Sequence, residues 1–80
     1  MLQEKAITCL MIAEMEIGSD ERVQAIKVAA DKYSWRALRK KIEELVERGY
    51  IEPLIGGTAC GGLTEKGVAA LSTHRNSYVA

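Results

Sequence analysis

The chain has 80 residues, 48% hydrophobic, 28% charged and 5% aromatic, and its eleven Lys and Arg balance eleven Asp and Glu. That describes one small globular domain over residues 1–80, and burying only about 60% of its unfolded surface leaves little to support a deep catalytic cleft. Zero net charge excludes a highly basic protein of the histone or ribosomal kind, and equally an acidic decoy.

Residues 2–17 read as a helix. At 100° per residue, Leu2, Ala6, Cys9, Leu10, Ala13 and Ile17 share one face, and Ile7, Met11 and Met15 form a second stripe beside it. One core-facing side does not need such breadth. Either the domain wraps this helix on two sides, or Ile7, Met11 and Met15 form a dimer surface on an N-terminal helix ending near Gly18. Gly18 stops the helix and Ser19-Asp20 offers the next N-cap, ahead of a second helix over 21–31 with Val23, Ile26, Ala29 and Ala30 at helical spacing. Ser34 then caps a third helix whose apolar stripe is Trp35, Leu38, Ile42, Leu45 and Val46, and Gly49 ends it in the left-handed conformation that glycine adopts cheaply.

After Gly49 the period changes. Residues 50–55 are short, β-prone and glycine-bounded, although Pro53 restricts them to an edge strand or an unpaired position. The glycine-rich stretch 56–62 predicts a turn, and a brief return to Leu63 closes a small β-hairpin. Thr64 caps a last helix through about Leu71, weakened inside by Gly67, and 72–80 is polar and expected to fray.

The balanced total hides a local asymmetry. Residues 1–33 hold four basic and six acidic side chains, whereas 35–41 hold Arg36, Arg39, Lys40 and Lys41 and no acid. Residues 42–48 then carry Glu43, Glu44 and Glu47 against Arg48. A solitary helix prefers the opposite order, acids first and bases last. An anion at the start of this helix would meet exposed amides and cations together, with Arg suited to a guanine edge and Lys to phosphate. The competing reading is a solvated face with i, i+4 pairs such as Arg39–Glu43 and Lys40–Glu44.

From about Ser19 to Leu71 the chain resembles winged helix-turn-helix transcriptional regulators, broadly the MarR-like and PadR-like kind. The likeness rests on Ser34 opening an amphipathic helix, on Arg48-Gly49-Tyr50-Ile51-Glu52, and on Leu63-Thr64-Glu65-Lys66-Gly67 opening the last helix. The interval 34–49 has the length of that family's recognition helix. The resemblance implies a mostly α fold with a small β-hairpin: a three-helix core, a wing and a C-terminal helix. It also implies sequence-specific binding of double-stranded DNA and transcription regulation by a cytoplasmic homodimer, with the third helix in the major groove. Carried over, the groove-facing positions are Trp35, Arg36, Ala37, Arg39 and Lys40, so that the DNA-binding set is Ser34, Trp35, Arg36, Arg39, Lys40 and Lys41. Trp35 could instead pack against the second helix, and core or half-buried packing is the favoured reading for it. The chain departs from the family in having no glycine before Ser34 and no Arg or Lys at the wing tip, 57–61. Few phosphate contacts are therefore expected of a monomer, and dimerisation is the usual remedy.

Other chemistry has little footing. No apolar run approaches the ~20 residues that span a bilayer, and the opening Met1-Leu2-Gln3-Glu4-Lys5 does not read as a secretory signal. The two cysteines, Cys9 and Cys60, lie 51 positions apart without C-x-x-C spacing, which supports neither a disulfide framework nor structural zinc. Cys60 with His74 falls short of a four-ligand metal site unless a second chain contributes. The glycine cluster lacks the Gly-Lys-Ser/Thr of a P-loop, no Gly-x-Ser-x-Gly elbow is present, and Glu43, Glu44 and Glu47 have the spacing of a solvated helix face. The expectation is a reduced, cytoplasmic, non-catalytic protein without cofactor or metal. Its rival in function is a winged-helix protein–protein interaction module, such as a small phage- or plasmid-encoded inhibitor of a host complex. The neutral chain, the uncharged wing and the surplus apolar stripe suit that alternative.

Overall fold

The structure, a computed structural model, describes residues 3–53 and 61–79. It contains four helices: α1 (Glu4–Glu14), α2 (Asp20–Tyr33), α3 (Trp35–Glu47) and α4 (Glu65–Val79). Helix α1 packs against each of the other three, which explains its breadth of apolar surface. Ala6, Ile7, Cys9, Leu10, Ile12 and Ala13 are all buried, meeting Ala29 of α2, Leu38 and Leu45 of α3 and Leu71 of α4 in one core. No helix among the described residues is long and apolar enough to cross a membrane.

Each junction has a local cause. Helix α1 ends at Glu14, three residues short of the apolar pattern, because Met15 turns extended and its N–H returns to the Ile12 carbonyl. Gly18, at φ 81°, then closes a turn in which the Ser19 N–H reaches the Glu16 carbonyl at 3.1 Å. The Ser19 hydroxyl accepts from the Arg22 N–H at 3.2 Å and starts α2. At its end α3 closes in a Schellman motif, with the Tyr50 N–H on the Leu45 carbonyl at 2.9 Å, the Gly49 N–H on Val46 at 3.1 Å, and Gly49 at φ 85°. The Thr64 hydroxyl caps α4 by accepting from the Gly67 N–H at 3.1 Å.

The expected winged helix, mostly α with a small β-hairpin, is not what the chain builds: the domain is all-helical, and among the described residues no strand forms. In place of the hairpin there is one isolated antiparallel bridge, Ile51 to Leu63, with the Glu52 N–H on the Gly62 carbonyl and the Gly61 N–H on the Glu52 carbonyl, both at 2.9 Å. Pro53 follows at once and has no N–H to carry a ladder onward. The remainder of the expected turn, with the wing tip and Cys60, lies outside the described residues. The C-terminal expectation is also revised. Helix α4 continues past Leu71, where the last helix was expected to end, to Val79. Arg75 grips Glu14 of α1 with two hydrogen bonds, 2.9 and 2.7 Å, and the paired guanidinium holds the Glu14 carboxyl below its ordinary range.

Helix α2 turns Ile26 and Ala29 of the expected stripe to the core but not Val23. Arg22 is only 2% exposed, whereas Val23 beside it is exposed. The buried guanidinium donates to the Gly61 carbonyl at 2.8 Å, across 39 residues of chain, and so ties the start of α2 to the segment leading into α4. A buried cation needs such partners to be tolerated at all.

Candidate nucleic-acid interface

A single residue separates α2 from α3. Ser34 receives the last bond of α2 through its N–H, 2.9 Å from the Ala30 carbonyl, and its hydroxyl accepts the Ala37 N–H of α3 at 3.3 Å. To do both it sits at φ 73°, ψ 149°, a conformation left almost entirely to glycine. The missing glycine before Ser34 thus reappears as a strained serine at the joint itself.

From that joint α3 projects its first turns outward. Trp35, Arg36, Arg39, Lys40 and Glu43 line a shallow open hollow of about 290 Å³. Trp35 is 43% exposed and lies outside the core cluster, and it lines the hollow beside the cations. Arg36 and Lys40 have no carboxylate within ion-pair distance among the described residues, and the first turn of α3 carries no acid. Arg39 contacts Glu43 at 3.5 Å between two largely exposed side chains, a pairing that solvent screens. Arg36, Arg39 and Lys40 therefore stand together, as the sequence suggests, with Trp35 and the Ser34 cap beside them.

Lys41 does not join them. Its side chain is 18% exposed and bonds the Glu44 carboxylate at 3.0 Å. The Lys41 ammonium, with Arg48 and Lys40 nearby, holds the Glu44 carboxyl below the ordinary range. Arg48 reaches the other Glu44 oxygen at 3.0 Å. Lys41 belongs to the neutralised rear half of the helix because its position turns it toward the core side of the apolar stripe.

The proposed dimer stripe divides as well. Ile7 is 4% exposed and faces the domain's own core, so it has no surface for a second chain. Met11 and Met15 are half-buried and line an open groove of about 420 Å³ between α1 and α2, shared with Ala25 and Val28. Val28 was legible as an apolar residue off the expected α2 stripe. Arg22 was not, since nothing in a charged helix start signals burial.

Comparison with protein-family models, with curated proteins and with solved structures gave no match. Function must be read from the geometry of this chain.

Proposed function

We propose that this protein binds double-stranded DNA through the N-terminal half of α3 and acts in the cytoplasm as a transcriptional regulator. The observation that carries the reading is the unneutralised cationic start of α3. Arg36 and Lys40 lie one turn apart near an exposed helix N-terminus whose first turn carries no acid, with no carboxylate within ion-pair distance of either among the described residues, and their like-charge repulsion is one that an anion would relieve. Arg36 and Arg39 are suited to bidentate contact with guanine edges, and Lys40 to phosphate. Trp35 offers an apolar, rigid surface to the thymine methyl or the sugar edge. No covalent chemistry is required of the site.

The test is a mobility-shift assay on random duplexes at low salt, with the fluorescence of Trp35, the single tryptophan, as a second readout. Wild type should bind with a log–log salt slope of about −0.9 per phosphate contact. Arg36→Ala with Lys40→Ala should weaken binding at least about tenfold at unchanged thermal stability. Equal affinity in that double variant removes the interface. A wild-type chain that ignores duplexes but captures an apolar protein surface independently of salt establishes the protein-interaction alternative instead.

A further inference from the structure

We propose that this protein forms a domain-swapped dimer, in which Ser34 straightens, α2 and α3 join into one helix, and α1–α2 of each copy packs against α3–α4 of the other. This exchange does not rest on DNA binding.

The hinge is already bonded as a helix on both sides. The Ser34 N–H donates to the Ala30 carbonyl at 2.9 Å, and the Ser34 carbonyl accepts from the Leu38 N–H at 3.1 Å, both in α-helical register. The φ of 73° and ψ of 149° at Ser34 break the path between them. Helical dihedrals there relieve that strain. They also give the first-turn N–H groups of Trp35, Arg36 and Ala37, which lack intrahelical acceptors, the carbonyls of Asp31, Lys32 and Tyr33. The Ala37 N–H gives up the Ser34 hydroxyl in exchange. Residues 31–37, Asp-Lys-Tyr-Ser-Trp-Arg-Ala, contain neither glycine nor proline to oppose the change.

A joined helix over 20–47 is about 42 Å long, against 37 Å for the longest dimension of the domain. A helix of that length carries one half out of its own core, and the remaining ties divide to match. Glu4–Lys32 holds α1 to α2. Thr64 on the Gly49 carbonyl, Lys66 on the Arg48 carbonyl and the Ile51–Leu63 bridge hold α4 to the end of α3. Between the two halves run the packing of α1 on α3 and α4, that of α2 on α3, the Arg22–Gly61 bond and the Glu14–Arg75 pair. All of these re-form between copies, with the chains crossing over only at Ser34. Strain at a very short connection is the circumstance that invites such an exchange, and the product is a closed two-fold dimer.

Size exclusion of the full chain, unfolded and refolded at about 1 mM, tests this without any ligand. Wild type should yield a dimer. Each dimer holds two hinges, so a change at Ser34 counts twice. Ser34→Ala removes the cap of the bent form and favours the helix, and should tighten dimerisation roughly a hundredfold. Ser34→Gly relaxes the bent form and disfavours the helix, and should loosen dimerisation about tenfold or more. Exchange itself is read by Glu14→Arg and Arg75→Glu, each of which sets like charges against one another within a monomer. Refolded together, the two chains should form heterodimers that pair opposite charges in both lobes and melt above either chain alone. A wild-type chain still monomeric at about 1 mM overturns the proposal. So does a dimer equally populated in Ser34→Ala and Ser34→Gly, which marks an ordinary surface contact, or a mixture that melts no higher than its components.

Discussion

At its C-terminal end α3 is fastened by four separate devices: the Schellman bonds at Gly49, the Arg48–Glu44–Lys41 cluster, the Thr64 hydroxyl on the Gly49 carbonyl, and Lys66. The Lys66 ammonium donates to the Arg48 carbonyl at 3.0 Å while lying 4.5 Å over the Tyr50 ring. A cation from α4 thus supplies the negative helix end with what the last turn of α3 lacks. At its N-terminal end the same helix, equally ill-matched to its dipole, has the Ser34 cap and the exposed Arg39–Glu43 pair, but among the described residues no carboxylate reaches Arg36 or Lys40. Both ends violate the electrostatic rule; only one is repaired within the chain. The difference teaches that the rear mismatch is absorbed by contacts within the chain, whereas Arg36 and Lys40 at the front stay exposed.

The largest break in that comparison comes from Gly67. A Cβ there would collide with the Tyr50 carbonyl oxygen and touch Leu63 at 3.0 Å, so bare backbone is what lets α4 approach the end of α3. Helix propensity alone would make Gly67→Ala stabilising by about 1 kcal/mol. Close contact reverses the sign, and a loss of about 3 kcal/mol in denaturant unfolding is expected. Gly62, with nothing within 4 Å of its added Cβ, is the control, and Gly62→Ala should be nearly neutral.

Next in size is the front joint. Ser34→Ala keeps the strained backbone and removes the cap on Ala37, with an expected cost of about 1 kcal/mol. Ser34→Gly loses the cap too but relieves a conformation costing roughly 1–3 kcal/mol, so it should unfold no earlier than wild type. If alanine and glycine prove equally destabilising, Ser34 is not strained in solution.

Helix existence, the Ser19, Ser34 and Thr64 caps and the Gly49 terminus were readable because each rests on contacts within a few residues. Gly67 was misread as a weakness because its use depends on the Tyr50 carbonyl, far along the chain. Arg22 was invisible for the same reason: its partner, Gly61, is 39 residues away. The β-hairpin was inferred from the β-prone residues 50–55 ahead of a glycine-rich turn and a brief return to Leu63. Pro53, noted as a restriction, has no N–H to offer a ladder, and among the described residues only the Ile51–Leu63 bridge forms. At the candidate interface, sequence placed Arg36, Arg39 and Lys40 together, since helical spacing alone decides that. Spacing also sets Lys41 on the opposite flank of the apolar stripe from Arg39; that Glu44 takes it up there depends on which side of the stripe the neighbouring helices cover.

The smallest expected effect concerns acid and again distinguishes the two ends of α3. The Lys41 ammonium keeps the Glu44 carboxyl below its ordinary range. A carboxyl whose pKa is lower folded than unfolded adds stability at pH above its unfolded value, and that stability is lost as pH falls through the folded value. Glu14, paired with Arg75, and Glu4, paired with Lys32, are lowered in the same way. Melting temperature should therefore decline as solutions are acidified below the ordinary carboxylate range. Glu44→Gln should flatten part of that decline while leaving neutral-pH melting little changed, since Glu44 is accessible to solvent and its pairs are screened. Amide exchange read residue by residue would locate the loss: protection should fall in the last turns of α3 and not around Arg36. Loss of protection at the front instead would mean that the two ends are not held independently.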